Sequence, residues 1–233
     1  MLYLASTSQT VTVITTIALT LLLGLILSLS GKKFDTRMLA YAAVSIGLSF
    51  ALSYIKVFEM PYGGAITVGS LVPLIIFSYV YGFRAGLFAG AVYGLLQFMQ
   101  GPYFLTPVQF LLDYILAFAA ISAAGAVGLI INNRRTALIV SVPCVLIVRL
   151  IIHILAGFIF YSSVTMRAGE IPIFGNTSTM SGFTYSFLYN TTYILPDMLI
   201  ALVIVILLST NKSFIRLIEI TSLNNKDRKP ISN

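Results

Sequence analysis

Residues 9–30, QTVTVITTIALTLLLGLILSLS, carry no charge, and a run of that length is long enough to cross a membrane as a helix. Six further apolar segments follow, at about 38–55, 65–81, 85–99, 108–131, 136–160 and 186–209. This pattern leaves the chain few options. In hydrocarbon every backbone N–H and C=O must find a partner inside the protein, so the segments are expected to fold as helices packed side by side. The predicted fold is therefore all-α, a polytopic membrane helical bundle. Pro73 and several glycines interrupt 65–81 and 85–99, which are expected to be tilted, broken or only partly spanning. Only 9% of the residues are charged, against roughly 25% in an ordinary soluble domain, and no polar block is long enough to form one. The lone Cys144 lies inside a predicted helix, where it reads as a small buried apolar residue and offers neither a disulfide nor a cysteine-based metal site. No Lys or Arg precedes residue 9, so the basic start of a secretory signal is missing and the first segment is read as an uncleaved helix.

The net charge of +7 does not point to nucleic acid, because the basic residues sit at helix ends instead of gathering on one face with aromatics. Alternate connections carry Lys32, Lys33 and Arg37, then Arg84, then Arg134 and Arg135, then Lys212, Arg216, Lys226, Arg228 and Lys229, eleven in all. The opposite side has Lys56 and Arg167. The positive-inside rule then predicts a multi-pass cell-membrane protein with its amino terminus outside and its carboxyl terminus cytoplasmic, and with outer loops at 56–64, 100–107 and 161–184. Three parts are expected: residues 1–37 as a first transmembrane helix and basic cytoplasmic loop, 38–210 as a six-helix substrate-binding membrane domain, and 211–233 as a basic tail that frays into disorder. No GxxxxGK[ST] phosphate loop is present, so the chain is not itself an ATPase of the common kind; no catalytic residue, cofactor or metal is assigned.

Within this apolar frame Asp113 needs a reason, because an ionisable group in a membrane segment costs about 2.5–3.5 kcal/mol by insertion scales. It lies about five residues inside the outer end of its predicted helix, roughly 8 Å deep. His153 reaches a similar depth on the next helix, with Arg149 one turn below it, and Tyr185 and Asn190 lie near the outer end of the last. Tyr62, Tyr103 and Tyr161 arrive from the outer loops, and no comparable set occupies the cytoplasmic half. The asymmetry suggests a ligand site open to the outside. Plainer roles stay open: Arg149 pairs either with Asp113 or with Asp197, Asn190 either contacts ligand or bonds across helices, His153 is either a ligand group or a packed helix residue, and tyrosines also populate membrane interfaces. Ala43, Gly47 and Ala51 form a small-residue stripe, either packed inside the bundle or a docking face for a separate membrane subunit. Gly82, Gly86, Gly90 and Gly94 form a second, read as internal packing.

The runs PYGGAITVGSLVPLIIFSYVYGFRAGLFAGAVYGLLQFMQG, TPVQFLLDYILAFAAISAAG, RLIIHILAGFIFY and YSFLYNTTYILPDMLI, in that order between about Leu39 and Leu208, resemble the thiamine-specific S component of energy-coupling-factor (ECF) vitamin transporters. The resemblance implies a six-helix core, here with one extra amino-terminal transmembrane helix, that captures the vitamin from outside. It also implies a transmembrane coupling subunit and two ATPase subunits as partners, supplying the missing nucleotide site. The family's acidic and aromatic pair falls on Asp113 and Tyr114, where the acid is often Glu; its histidine falls on His153 and its Tyr and Asn on Tyr185 and Asn190. Tyr103 and Tyr161 match its loop aromatics, the latter where the family can have Trp. The Ala43, Gly47 and Ala51 stripe resembles its docking face. The loop Ser162 to Thr184 is longer than in the family.

A cationic aromatic ligand agrees with these residues. The carboxylate of Asp113 offsets a thiazolium, tyrosine faces stack on both rings, and Asn190 meets donor and acceptor positions of an aminopyrimidine. Folate, with two carboxylates, fits poorly, while riboflavin and free hydroxymethylpyrimidine remain alternatives. Two further classes compete: an intramembrane enzyme using Asp113 and His153 as acid and base, for which no nucleophile or metal cluster is at hand, and a proton-driven secondary transporter using Asp113, Arg149 and Asp197.

Overall fold

The computed structural model describes residues 35–60, 63–101, 107–161, 166–167 and 179–223. The predicted first helix at 9–30, Tyr62, Tyr103, the side chain of Tyr161 and most of the loop from 162 to 184 lie outside the described residues.

Among the described residues six helices form the bundle: α1 (Thr36–Ser53), α2 (Val72–Tyr81), α3 (Phe83–Gln100), α4 (residues 107–130), α5 (Arg134–Tyr161) and α6 (Gly182–Thr210). Short connections at Gly82 and at 131–133 turn α2 back into α3 and α4 back into α5. The end where α3 and α5 begin carries Arg84, Arg134 and Arg135; the end where they finish and α6 begins carries the cavity described below. Buried Leu74, Ile75, Leu138, Val142, Val145 and Leu146 form the core, while Val44, Leu129, Ile130, Leu199, Val203 and Leu207 leave apolar surface outside. In a soluble protein that surface would be a liability, but in a bilayer it faces acyl chains. Among the described residues four stretches, Thr36–Ser53, Leu111–Ile130, Arg134–Phe158 and Gly182–Thr210, are long and apolar enough to cross. The fold is all-α, with two small hairpins.

Three expectations need correction. The apolar segment at 65–81 is broken and only partly spanning, as expected, but its first residues form a strand and not a helix. Ala65–Thr67 (β2) pairs antiparallel with Lys56–Glu59 (β1), which lies in the expected outer loop at 56–64. A turn through Gly69, at φ 70°, leads into α2, whose first turn takes Pro73 where no N–H is needed. The ten residues of α2 give it a length of about 15 Å, half the hydrocarbon thickness. Conversely, α3 runs unbroken, because its glycines serve packing: a Cβ at Gly90 would collide with the Phe118 carbonyl, one at Gly94 with the Tyr114 carbonyl, and one at Gly86 with Ser78. The internal-packing reading of that stripe is thus what the structure shows at Gly86, Gly90 and Gly94, while a Cβ at Gly82, at φ 92°, would meet nothing within 4 Å; Ala43, Gly47 and Ala51 lie exposed on α1.

The third correction concerns the tail. Lys212–Leu223 forms a further helix, α7, instead of fraying. Asn211 caps it, its side-chain oxygen accepting from the Ser213 and Phe214 N–H groups at 2.9 and 3.2 Å. Ile218 and Ser222 are buried against the bundle, and Arg134 pairs with Glu219 at 3.5 Å. A second short hairpin pairs Met166–Arg167 (β3) with Thr179–Met180 (β4).

Candidate functional site

The site starts from an irregularity in α4. After one α-turn, Pro107–Phe110, the chain widens into a π-helical segment, Leu111–Leu116, before returning to α geometry at Ala117–Ala119 and Ser122–Ile130. Such segments recur at functional sites because they re-aim side chains. Here Asp113 and Tyr114, adjacent in sequence, both line one cavity of about 300 Å³, in the range of small-molecule pockets. Tyr114 sits in an aromatic cluster with Phe98 and Phe110, ring centroids 5.2 and 5.8 Å away, and its hydroxyl donates to the Gly101 carbonyl at 3.3 Å.

Asp113 meets α5 through His153, whose Nδ1 lies 2.9 Å from the carboxylate Oδ1. An ionised carboxylate only accepts, so the imidazole N–H donates, which fixes the ring's orientation. Arg149, one turn away, pairs with Asp197 of α6 (3.9 Å) and lies over the Phe118 ring, 4.5 Å from its centroid. Of the two partners open to Arg149, the structure therefore selects Asp197. That carboxylate is also held by Thr67 at the end of β2, through its N–H at 3.0 Å and its hydroxyl at 2.8 Å.

From α6 come Tyr185 and Asn190. Asn190 bonds within its own helix and not across helices: its amide donates to the Ser186 carbonyl at 2.8 Å, and its oxygen accepts from the Tyr193 hydroxyl at 2.9 Å. Ser186 in turn donates to the Ile154 carbonyl at 3.2 Å, in the seam where Gly157 lets α5 approach α6. Tyr185, Tyr189 and Tyr193, spaced four residues apart, form a ladder of rings with centroids 5.7 and 5.9 Å apart. Opposite them, Gly64 of the hairpin loop packs on Tyr193, where a Cβ would come within 2.7 Å of the ring.

Of the residues singled out in the sequence, Asp113, Tyr114, His153, Tyr185 and Asn190 line this one cavity, together with Arg149 and Asp197. Tyr62, Tyr103 and the Tyr161 side chain lie outside the described residues. The sequence reading missed Thr67, Gln97, Gln109, Tyr189 and Tyr193, which also line it. The four-residue repeat of tyrosines on α6 was the available signal for the last two. No group of three or more His, Cys, Asp or Glu that could hold a metal occurs among the described residues. What the arrangement offers is a carboxylate fixed by an imidazole, flat tyrosine faces, and amide and hydroxyl groups: means of holding a flat, polar, cationic molecule.

Comparison with known proteins identifies the family. The thiamine transporter ThiT of Bacillus subtilis (strain 168) is 32% identical over 160 residues, which cover 64% of this chain and 77% of that protein. The fold matches a solved structure of ThiT from Listeria monocytogenes with a TM-score of 0.62, across 78% of this chain and 98% of that one, at 22% identity. Residues 39–216, encompassing every helix of the bundle but the first turn of α1, match the model of the family described as "Thiamine transporter protein (Thia_YuaJ)". The chain is thus a multi-pass membrane protein of a transporter family and not an enzyme, and it belongs to the thiamine transporter protein family.

Proposed function

We propose that this chain is the substrate-binding S component that captures thiamine from the outer face of the membrane for ATP-driven uptake. The observation that carries this reading is the Asp113 carboxylate, oriented by His153 at 2.9 Å, in the wall of a tyrosine-lined cavity within this family's fold. Asp113 faces the thiazolium charge, the α6 tyrosines and Tyr114 stack on the rings, and Asn190 meets the aminopyrimidine. Tyr62, Tyr103 and Tyr161, whose side chains lie outside the described residues, are further candidate aromatic contacts in this reading. Support for the orientation comes from charge. Eleven basic residues mark one side of the chain against two on the other, and the cavity lies at the sparsely charged end, so it opens outward with the carboxyl terminus in the cytoplasm. In this reading the energy comes from partners, a transmembrane coupling subunit and two ATPases, with Ala43, Gly47 and Ala51 as the docking face, which agrees with a sequence that carries no phosphate loop.

Titration of the purified chain with thiamine, followed by tyrosine fluorescence or calorimetry, tests the reading. Asp113→Asn and His153→Ala are each expected to weaken binding by roughly tenfold or more, the size of a lost hydrogen bond to a charged group. Unchanged affinity in both variants would overturn the site assignment, and no binding by the unmodified chain would overturn the substrate.

A further inference from the structure

Five charged side chains line the cavity among the described residues: Lys56, Glu59, Asp113, Arg149 and Asp197. Four of them cancel in pairs. Lys56 meets Glu59 at 2.7 Å at the rim, and Arg149 meets Asp197 at 3.9 Å in the interior, with side chains only 11% and 5% exposed. His153 donates its Nδ1–H to Asp113, a bond that a neutral imidazole makes without taking up a further proton. The cavity is left with one uncompensated charge, the carboxylate of Asp113.

The inner pair is built with some care for direction. Thr67 occupies Asp197 Oδ1 with two donors, its N–H and its hydroxyl, and the hydroxyl is itself 2.8 Å from that of Ser70. This leaves Oδ2 turned toward Arg149. Arg149 is held from its other side by the Phe118 ring. A guanidinium at this depth that was not cancelled would repel a cation from the same cavity that Asp113 attracts it to.

Resting on the thiamine reading, we propose that Asp197 is a positioning residue that acts through Arg149: by cancelling and fixing the guanidinium it leaves the cavity one net negative charge, and so sets its preference for a singly charged cation over a neutral molecule of the same shape. Asp197 touches no ligand in this account. Its effect is on selectivity, which a purely architectural role for the Thr67 bonds would not alter.

The test compares binding of thiamine and of a neutral analogue in which a thiophene replaces the thiazolium. The unmodified chain prefers thiamine. Asp197→Asn keeps an oxygen for Thr67 but removes the charge, and is expected to cut the ratio of the two affinities at least about tenfold, the size for a unit charge roughly 10 Å away at an effective dielectric near 20. Removing both charges, in Arg149→Gln/Asp197→Asn, is expected to restore the ratio to within about threefold of the original. If Asp197→Asn does not fold, Asp197→Glu, which retains the charge, is expected to keep the ratio, and a collapse there overturns the proposal. An unchanged ratio in Asp197→Asn, or a double variant no better than the single one, overturns it as well while leaving the thiamine reading intact. Failure of the unmodified chain to bind thiamine is the separate outcome that removes the reading beneath it.

Discussion

Tyr193 illustrates how a side chain absent from any motif sets the posture of one that a motif picks out. Its hydroxyl donates to Asn190, its ring leans on Tyr189, and Gly64 packs against its face. Tyr193→Phe keeps the ring and the packing but leaves the Asn190 oxygen without that donor. A lost neutral hydrogen bond is worth about 1 kcal/mol, so thiamine affinity should fall about fivefold by calorimetry with little change in thermal stability. Equal affinity would mean that Asn190 is oriented by Ser186 alone. At this scale the sequence was most legible where a residue is expensive. Asp113, Arg149, His153 and Asp197 stand out because hydrocarbon penalises them, and that penalty also forces them to pair. Which pairs form was not legible, since Asp113 and Asp197 both lie within reach of α5 and the choice depends on Thr67. A threonine in an apolar segment attracts no notice until the strand that carries it is placed.

Elements were legible in proportion to their length. The long apolar runs gave α1, α4, α5 and α6 to within a few residues, because hydrocarbon thickness fixes how long a spanning helix must be. Shorter features escaped for physical reasons. Residues 65–71 are as apolar as a helix, but Gly69 and Pro73 favour a turn, and β2 finds its partner only in β1. In α7, Phe214, Ile215 and Ile218 make too short a stripe to stand out in a basic tail, and the helix depends on packing for its stability. The π-helical segment of α4 has no sequence signature, yet α3 packs closely on it and on the turn that follows: Gly94 faces the Tyr114 carbonyl and Gly90 that of Phe118. Gly90→Val should therefore force α3 away from α4, because backbone cannot yield as a flexible side chain would. The expected cost is about 1–3 kcal/mol, seen as a lower unfolding midpoint in detergent and partly recovered by saturating ligand. An unchanged midpoint would show that the two helices slide apart freely.

Across the whole molecule the two ends of the bundle divide the work. One end gathers the cavity and its charges; the other gathers Arg84, Arg134 and Arg135 with α7 packed across it. Along the side of α1, Ala43, Gly47 and Ala51 are exposed, and a Cβ added at Gly47 would meet nothing within 4 Å among the described residues. No described residue therefore demands glycine there, and glycine in a helix interior costs roughly 0.5–1 kcal/mol against alanine. A flat face retained at that cost fits close approach by another membrane helix, which small residues permit. Gly47→Leu separates the two halves of the proposed function. The isolated protein should bind thiamine as before, with an unfolding midpoint equal or higher, because the site lies elsewhere and the helix gains propensity. Vesicles that contain the coupling subunit and ATPases should lose most ATP-dependent thiamine uptake, because the leucine holds the partner helix off. Uptake that persists at the original rate would place the docking face on a different helix, and weakened binding by the isolated protein would mean that α1 shapes the cavity from a distance.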